Sequence, residues 1–143
     1  MKKLIFLSTL VLGIFLSFTL SAQTPVGIWK TIDDESGEPK SHVEIYEKEG
    51  KLFGKVVKLL PKATTDVCLN CPGDLDGKSL LEMDVFWDLK PYKDYWSYGK
   101  IIDPAKGKVY KLSLWVEDEK TLKLRGYIGV SVLGRNQTWH RVE

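Results

Sequence analysis

Residues 109–116 read VYKLSLWV, and the alternation in that stretch decides the fold. Tyr110, Leu112, Leu114 and Val116 fall on one side, while Val109, Lys111, Ser113 and Trp115 fall on the other. Successive side chains of a strand point to opposite faces, so a period of two with one apolar set predicts a half-buried β-strand. Glu117-Asp118-Glu119 turns this strand into TLKLRGY, where Leu122 and Leu124 oppose Lys123 and Arg125. The same pattern appears upstream in SHVEIYEK (41–48), with Val43 and Ile45 facing away from His42, Glu44 and Tyr46. Glu49-Gly50 is a tight turn into KLFGKVVKL (51–59), and together these segments predict a β-hairpin.

The remaining segments extend the series. Gly27-Ile28-Trp29-Lys30-Thr31 is a short first strand, followed by the acidic turn IDDESGEPK (32–40). LLEMDVFWD (80–88) predicts a strand with Leu81, Met83, Val85 and Trp87 on one side, ending in a turn at Asp88-Leu89-Lys90-Pro91. Tyr95 to Ile102 predicts the next strand, closed by a turn at Asp103 to Lys108 that holds Pro104 and Gly107. SVLGRNQTWHRV (131–142) reads as one bent strand or two short ones divided near Gly134.

No internal apolar stretch carries the 3.6-residue period of a helix. Eight or nine consecutive strands with tight links predict an all-β antiparallel meander, closed into a small lipocalin-like barrel because closure removes exposed edges. A two-sheet sandwich is the competing arrangement.

The N-terminus reads as a secretory signal peptide. Lys2-Lys3 precedes the apolar run LIFLSTLVLGIFLSFTL, and Ser21-Ala22-Gln23 offers small residues for cleavage. An uncleaved membrane anchor is the alternative, although the run is short of the roughly 20 residues that span a bilayer. Residues 1–22 are therefore expected to be removed, leaving 23–143 as a single β-barrel domain, periplasmic or secreted, whose membrane contact is confined to the signal peptide. The leader holds two of the 21 basic residues and none of the 19 acidic ones, so the mature formal charge is zero. A neutral exported domain lacks the phosphate-neutralising charge that nucleic-acid binding draws on, and no nucleic-acid partner is expected.

The two cysteines stand in DVCLNCPG (66–73). A structural zinc site wants four ligands, and only His42 and His140 are available to join Cys68 and Cys71. A reactive Cys-x-x-Cys opens a helix, whereas Pro72, Gly73 and Asp74 follow this one. Asp66 and Asp74 would raise a thiol's pKa rather than lower it. In an oxidising compartment the two cysteines are expected to pair as a structural disulfide stapling the loop.

Other catalytic signals fail. Asp33-Asp34-Glu35 lacks the ligand spacing of a calcium loop and reads as a solvated turn. No Gly-x-Ser-x-Gly, His-Glu-x-x-His or phosphate-binding glycine loop occurs. The chain is therefore read as a non-enzyme, with no metal and no cofactor.

Aromatic and arginine residues remain. The part after residue 22 has five Trp, six Tyr and two Phe, with Tyr92, Tyr95, Trp96 and Tyr98 clustered. On a strand from Tyr95 the alternation puts Trp96 and Tyr98 on one face, opposite Tyr95. Exposed aromatics at a barrel mouth suit a glycan, a lipid or a partner protein. The only arginines are Arg125, Arg135 and Arg141. An acidic headgroup in a cavity would meet one of these, or they link structurally to Asp33, Asp34 or Asp103. Trp96, Tyr98, Tyr110, Arg125, Tyr127 and Arg135 are the candidate ligand-binding residues.

Several phrases occurring in order carry a resemblance: Gly27-x-Trp29, TIDD at 31–34, SHVEIYEKEGKLFGKVVKL, Cys68-x-x-Cys71, GKIIDPAKGKVY and RGYIGVSVLGRNQTWHR. The set resembles the family of exported bacterial proteins called domain of unknown function 2147, over about residues 26–142. The chain departs from the family pattern at Leu81-Glu82-Met83, where the family has glycine and apolar residues. The resemblance implies a β-barrel broadly like the lipocalins, exported by Gram-negative bacteria, and carries no activity. A weaker resemblance is to lipocalins themselves, which pack an arginine over the tryptophan of an early Gly-x-Trp. Gly27 and Trp29 match that pattern, with Arg141 or Arg135 as the arginine closing the barrel end. Two functions follow as expectations: binding of a lipid or other small amphipathic ligand, or a filled-core envelope module that contacts a protein partner.

Overall fold

The computed structural model describes residues 23–130 and 134–142. Eight antiparallel strands close into one barrel in sequence order, β1 to β8. They are β1 (Gly27–Ile32), β2 (Pro39–Lys48), β3 (Lys51–Leu59), β4 (Asp84–Tyr92), β5 (Tyr95–Asp103), β6 (Lys108–Asp118), β7 (Thr121–Tyr127) and β8 (Arg135–Arg141). β1 and β8 complete the barrel through Trp29 opposite Arg141 and Lys30 opposite His140. The leader assigned to residues 1–22 lies outside the described residues.

The period-two pattern positions the core as the sequence predicts. Val43, Ile45, Leu112, Leu114, Leu122 and Leu124 are all buried. The β2–β3 hairpin turns at Glu49 and Gly50, both at positive φ (53° and 77°), as a two-residue turn matched to strand twist requires.

Three expectations need correction, two of them at bulges. The turn expected at Asp88 to Pro91 is continuous strand, and the chain reverses at Lys93-Asp94 instead. Asp88 adopts a φ of 60° and inserts an extra residue, so Phe86 and Leu89 both reach the core. Leu81, expected inside, is exposed and precedes the strand, while Leu80 and Met83 are buried. In β5, Tyr98 has a φ of 64° and the register with β6 shifts between Trp96 and Gly99. Trp96 therefore packs on the core while Tyr98 is exposed, and the two do not share a face.

The long excursion between β3 and β4 is more ordered than its composition implies. Val67 bridges Ser79, and the Cys68 N–H donates to the Lys78 carbonyl at 2.8 Å. Cys68 and Cys71 form a disulfide and are buried, with a single 3-10 turn over Gly73–Leu75. The Leu69 N–H donates to the Pro104 carbonyl at 2.8 Å, docking the stapled segment on the β5–β6 turn.

Candidate functional site: an open cavity above a packed floor

The two ends of the barrel differ because large and small residues alternate across it. At one end Trp29, Ile45, Leu52, Phe86, Leu89 and Leu114 are fully buried. Phe86 lies over Gly54 and Leu89 over Gly99, so closely that a methyl group at either glycine would meet their atoms at 2.3 and 2.5 Å. Trp29 donates its indole N–H to the Pro25 carbonyl at 2.8 Å. The Arg141 guanidinium covers that indole, 4.2 Å from the ring centre. It also donates to the carbonyls of Glu119 (2.6 Å), Val26 (3.0 Å) and Thr24 (2.7 Å). Arg141 is thus the arginine over the Gly-x-Trp tryptophan.

Toward the other end the inward residues become smaller, and the interior opens. Val43, Val56, Val85, Leu112 and Leu124 line a cavity of about 520 Å³ that reaches a mouth rimmed by the β1–β2, β3–β4 and β5–β6 connections and by Ile128 and Arg135. That size lies within the roughly 300–1,000 Å³ typical of small-molecule sites. Gly126 lines it too, and a methyl group there would meet Tyr110 and Ile101 only at ordinary contact distance, 3.7–3.9 Å.

Polarity is graded along the cavity. Trp139 lines the deep part and donates its indole N–H to Gln137 at 3.1 Å. Among the described residues, no buried side-chain nitrogen or oxygen lacks a hydrogen-bond partner. The deep part therefore suits an apolar guest. Higher up, the Thr31 and Ser41 hydroxyls pair at 2.9 Å. At the mouth Arg135 bridges to Asp34 at 2.7 Å and to Glu35 at 3.7 Å, the structural link weighed above. Asp33 accepts the hydroxyl and backbone N–H of Ser36, and the hydroxyl bond, ahead of the other influences, draws its carboxyl below the usual carboxylate range. Asp103 caps its turn by accepting the Ala105 N–H at 3.0 Å.

Of the six candidate ligand residues, Tyr110, Tyr127 and Arg135 line this cavity. Trp96 packs against the core and does not line it. Tyr98 stands on the outside, its ring 5.4 Å from Tyr92 and edge-on to it. Arg125 alternates with Leu124 and Gly126, so it faces outward, donates to Asn136 at 2.8 Å and borders a shallow outer groove with Tyr95 and Trp115. Sequence reasoning missed Gly126, Gln137, Trp139 and Lys40 as lining residues. The first was within reach, since the alternation that places Leu122 and Leu124 inside also places Gly126 there.

The chain belongs to the family described as uncharacterized protein conserved in bacteria (DUF2147), whose model matches residues 27–141. No curated protein matches it. Among solved structures it is similar to protein HP1028 from the human pathogen Helicobacter pylori, described as belonging to the lipocalin family. The two are 21% identical over 82% of each chain, with a TM-score of 0.71, a likeness of fold.

Proposed function

We propose that this protein is an exported, non-catalytic binding module that holds a small apolar or amphipathic molecule in its barrel. The observation that carries the reading is the open, apolar-floored cavity of about 520 Å³ above a closed, tightly packed end. A barrel of about eight strands has room for either side-chain filling or one small ligand, and the small residues toward the mouth favour the second. The lipocalin-like fold is compatible with it. Export rests on the basic and apolar leader and on a paired Cys68–Cys71, which suits an oxidising compartment.

A second reading, an envelope module contacting a protein partner, draws on one feature. Tyr92, Tyr95 and Tyr98 form an edge-to-face cluster on the barrel wall, with Lys93 over Tyr92. It is the weaker reading because it leaves the cavity without a role.

The test is native mass spectrometry of mature protein from a periplasm, followed by solvent extraction, alongside titration with the apolar fluorophore N-phenyl-1-naphthylamine. The reading expects saturable fluorophore binding that Gly126→Leu abolishes by filling the cavity. A folded wild-type protein that neither retains an extra mass nor binds the fluorophore would overturn it.

A further inference from the structure

The charges at the mouth are unevenly used, and this bears on the ligand's polar end. Four acidic residues line the cavity: Asp33, Asp34, Glu35 and Asp103. Each is engaged by the protein itself, Asp34 and Glu35 by Arg135, Asp33 by Ser36, and Asp103 by the Ala105 N–H. Arg135, the only arginine lining the cavity among the described residues, is thereby occupied. Two lysines line it as well, Lys40 and Lys106. Among the described residues, neither ammonium has a carboxylate within ion-pair distance. Lys40 donates to a neutral acceptor, the Lys62 carbonyl, at 2.7 Å, and its charge only assists in holding the Asp33 carboxyl low.

The two lysines also approach from different sides. Lys40 stands at the start of β2 and Lys106 in the β5–β6 turn, and β2 and β5 are three strands apart in the closed ring of eight. The domain after residue 22 has zero formal charge, so any preference for charge must be local to the mouth.

From this arrangement we infer that the guest is an amphiphile with an anionic head, a carboxylate or a phosphate monoester, whose tail fills the apolar floor while Lys40 and Lys106 meet the head. The inference rests on the cavity-binding reading and adds the class of ligand. The four carboxylates of the lining outnumber its three cations, and Asp33 and Asp103, bonded only by neutral donors, keep their charge. The preference for an anion comes instead from the two ammonium groups that no carboxylate pairs, set against carboxylates whose oxygens already accept bonds from Arg135, Ser36 and Ala105. A neutral head could accept a hydrogen bond from these ammonium groups but would gain no charge pairing.

The experiment compares molecules of one tail length in displacement of N-phenyl-1-naphthylamine at pH 8: dodecanoate, dodecyl phosphate, dodecan-1-ol and dodecyltrimethylammonium. Partly exposed ion pairs are individually modest and screened by salt, so the anions should bind about 5- to 20-fold more tightly than the alcohol at low ionic strength, with the advantage shrinking at high salt. The cation should bind least. Lys40→Gln and Lys106→Gln should each cut dodecanoate or dodecyl phosphate affinity about 2- to 5-fold while leaving dodecan-1-ol unchanged. Because Lys40 also ties the β3–β4 segment through Lys62, the alcohol serves as the control for an intact cavity.

Preference between the two anions distinguishes a fatty acid from a phospholipid-derived head, and either supports the inference. Inorganic phosphate alone should not displace the fluorophore. Equal affinity for dodecanoate, dodecyl phosphate and dodecan-1-ol, or lysine variants that leave the difference intact, would overturn the anionic head while the cavity reading stands. Failure of all four to displace the fluorophore would overturn both.

Discussion

The guanidinium of Arg141 sits 4.2 Å from the centre of the Trp29 ring, and the two residues face each other across the β1–β8 junction. They join the first and last strands at the packed end of the barrel. A cation over an indole contributes about 0.5–2 kcal/mol, and three carbonyl hydrogen bonds add to it. Arg141→Ala is therefore expected to lower stability by about 2–3 kcal/mol, read as an earlier urea midpoint. Arg135 gives the contrast. Its pairs with Asp34 and Glu35 lie at the exposed mouth, so Arg135→Ala should cost at most about 1 kcal/mol.

The packed end depends equally on a glycine. An alanine methyl at position 54 would stand 2.3 Å from the Phe86 ring, too close for either to remain in place. Gly54→Ala should destabilise by about 1–3 kcal/mol. Adding Phe86→Leu should recover part of that loss, so the two substitutions will be non-additive in denaturant unfolding. Simple additivity would mean that the ring does not hold this position.

Tyr46 ties β2 to β4 by donating its phenol to Asp84, at 2.8 and 3.0 Å to the two carboxylate oxygens. Burial, and then this hydrogen bond, push its pKa from 10.0 up to about 12. The folded protein thus keeps the proton longer than the unfolded chain does. The resulting stabilisation is complete below pH 10 and is lost as pH rises from there to about 12. Tyr46→Phe should flatten this alkaline decline in unfolding midpoints, and an unchanged decline would contradict the assignment.

The Cys68–Cys71 staple closes a short loop, and the chain-entropy relation gives such a loop about 2 kcal/mol. Reduction should lower the unfolding midpoint accordingly. It should also speed amide exchange at Leu69 and Gly77, whose N–H groups bond to Pro104 and Cys68. Exchange unchanged on reduction would show that docking on the β5–β6 turn holds the segment without the disulfide.

The eight-stranded order was legible because the barrel is built from neighbours in sequence, and alternation such as that of Leu112 and Leu114 reports a local property of the backbone. The same reading went astray at Asp88 and Tyr98, where one extra residue in a bulge reverses the face of everything beyond it. Nothing in residue type announces that insertion, since neither position is a glycine.

The candidate site was half legible for a related reason. Tyr110 follows from alternation with Leu112 and Leu114, whereas Tyr127 shares the outward parity of Arg125 and reaches the lining only at the last residue of β7. Arg125 was drawn in by its chemistry although that alternation sends it outward. By itself, the sequence determined the strand class, the closed meander and the two cysteines' pairing, because these depend on near neighbours and on covalent reach. Only the tertiary structure decided that the interior is filled at one end and open at the other. That outcome depends on which large residue meets which small one across the barrel, Phe86 on Gly54 and Leu89 on Gly99 at the floor, with Gly126 left uncovered near the mouth.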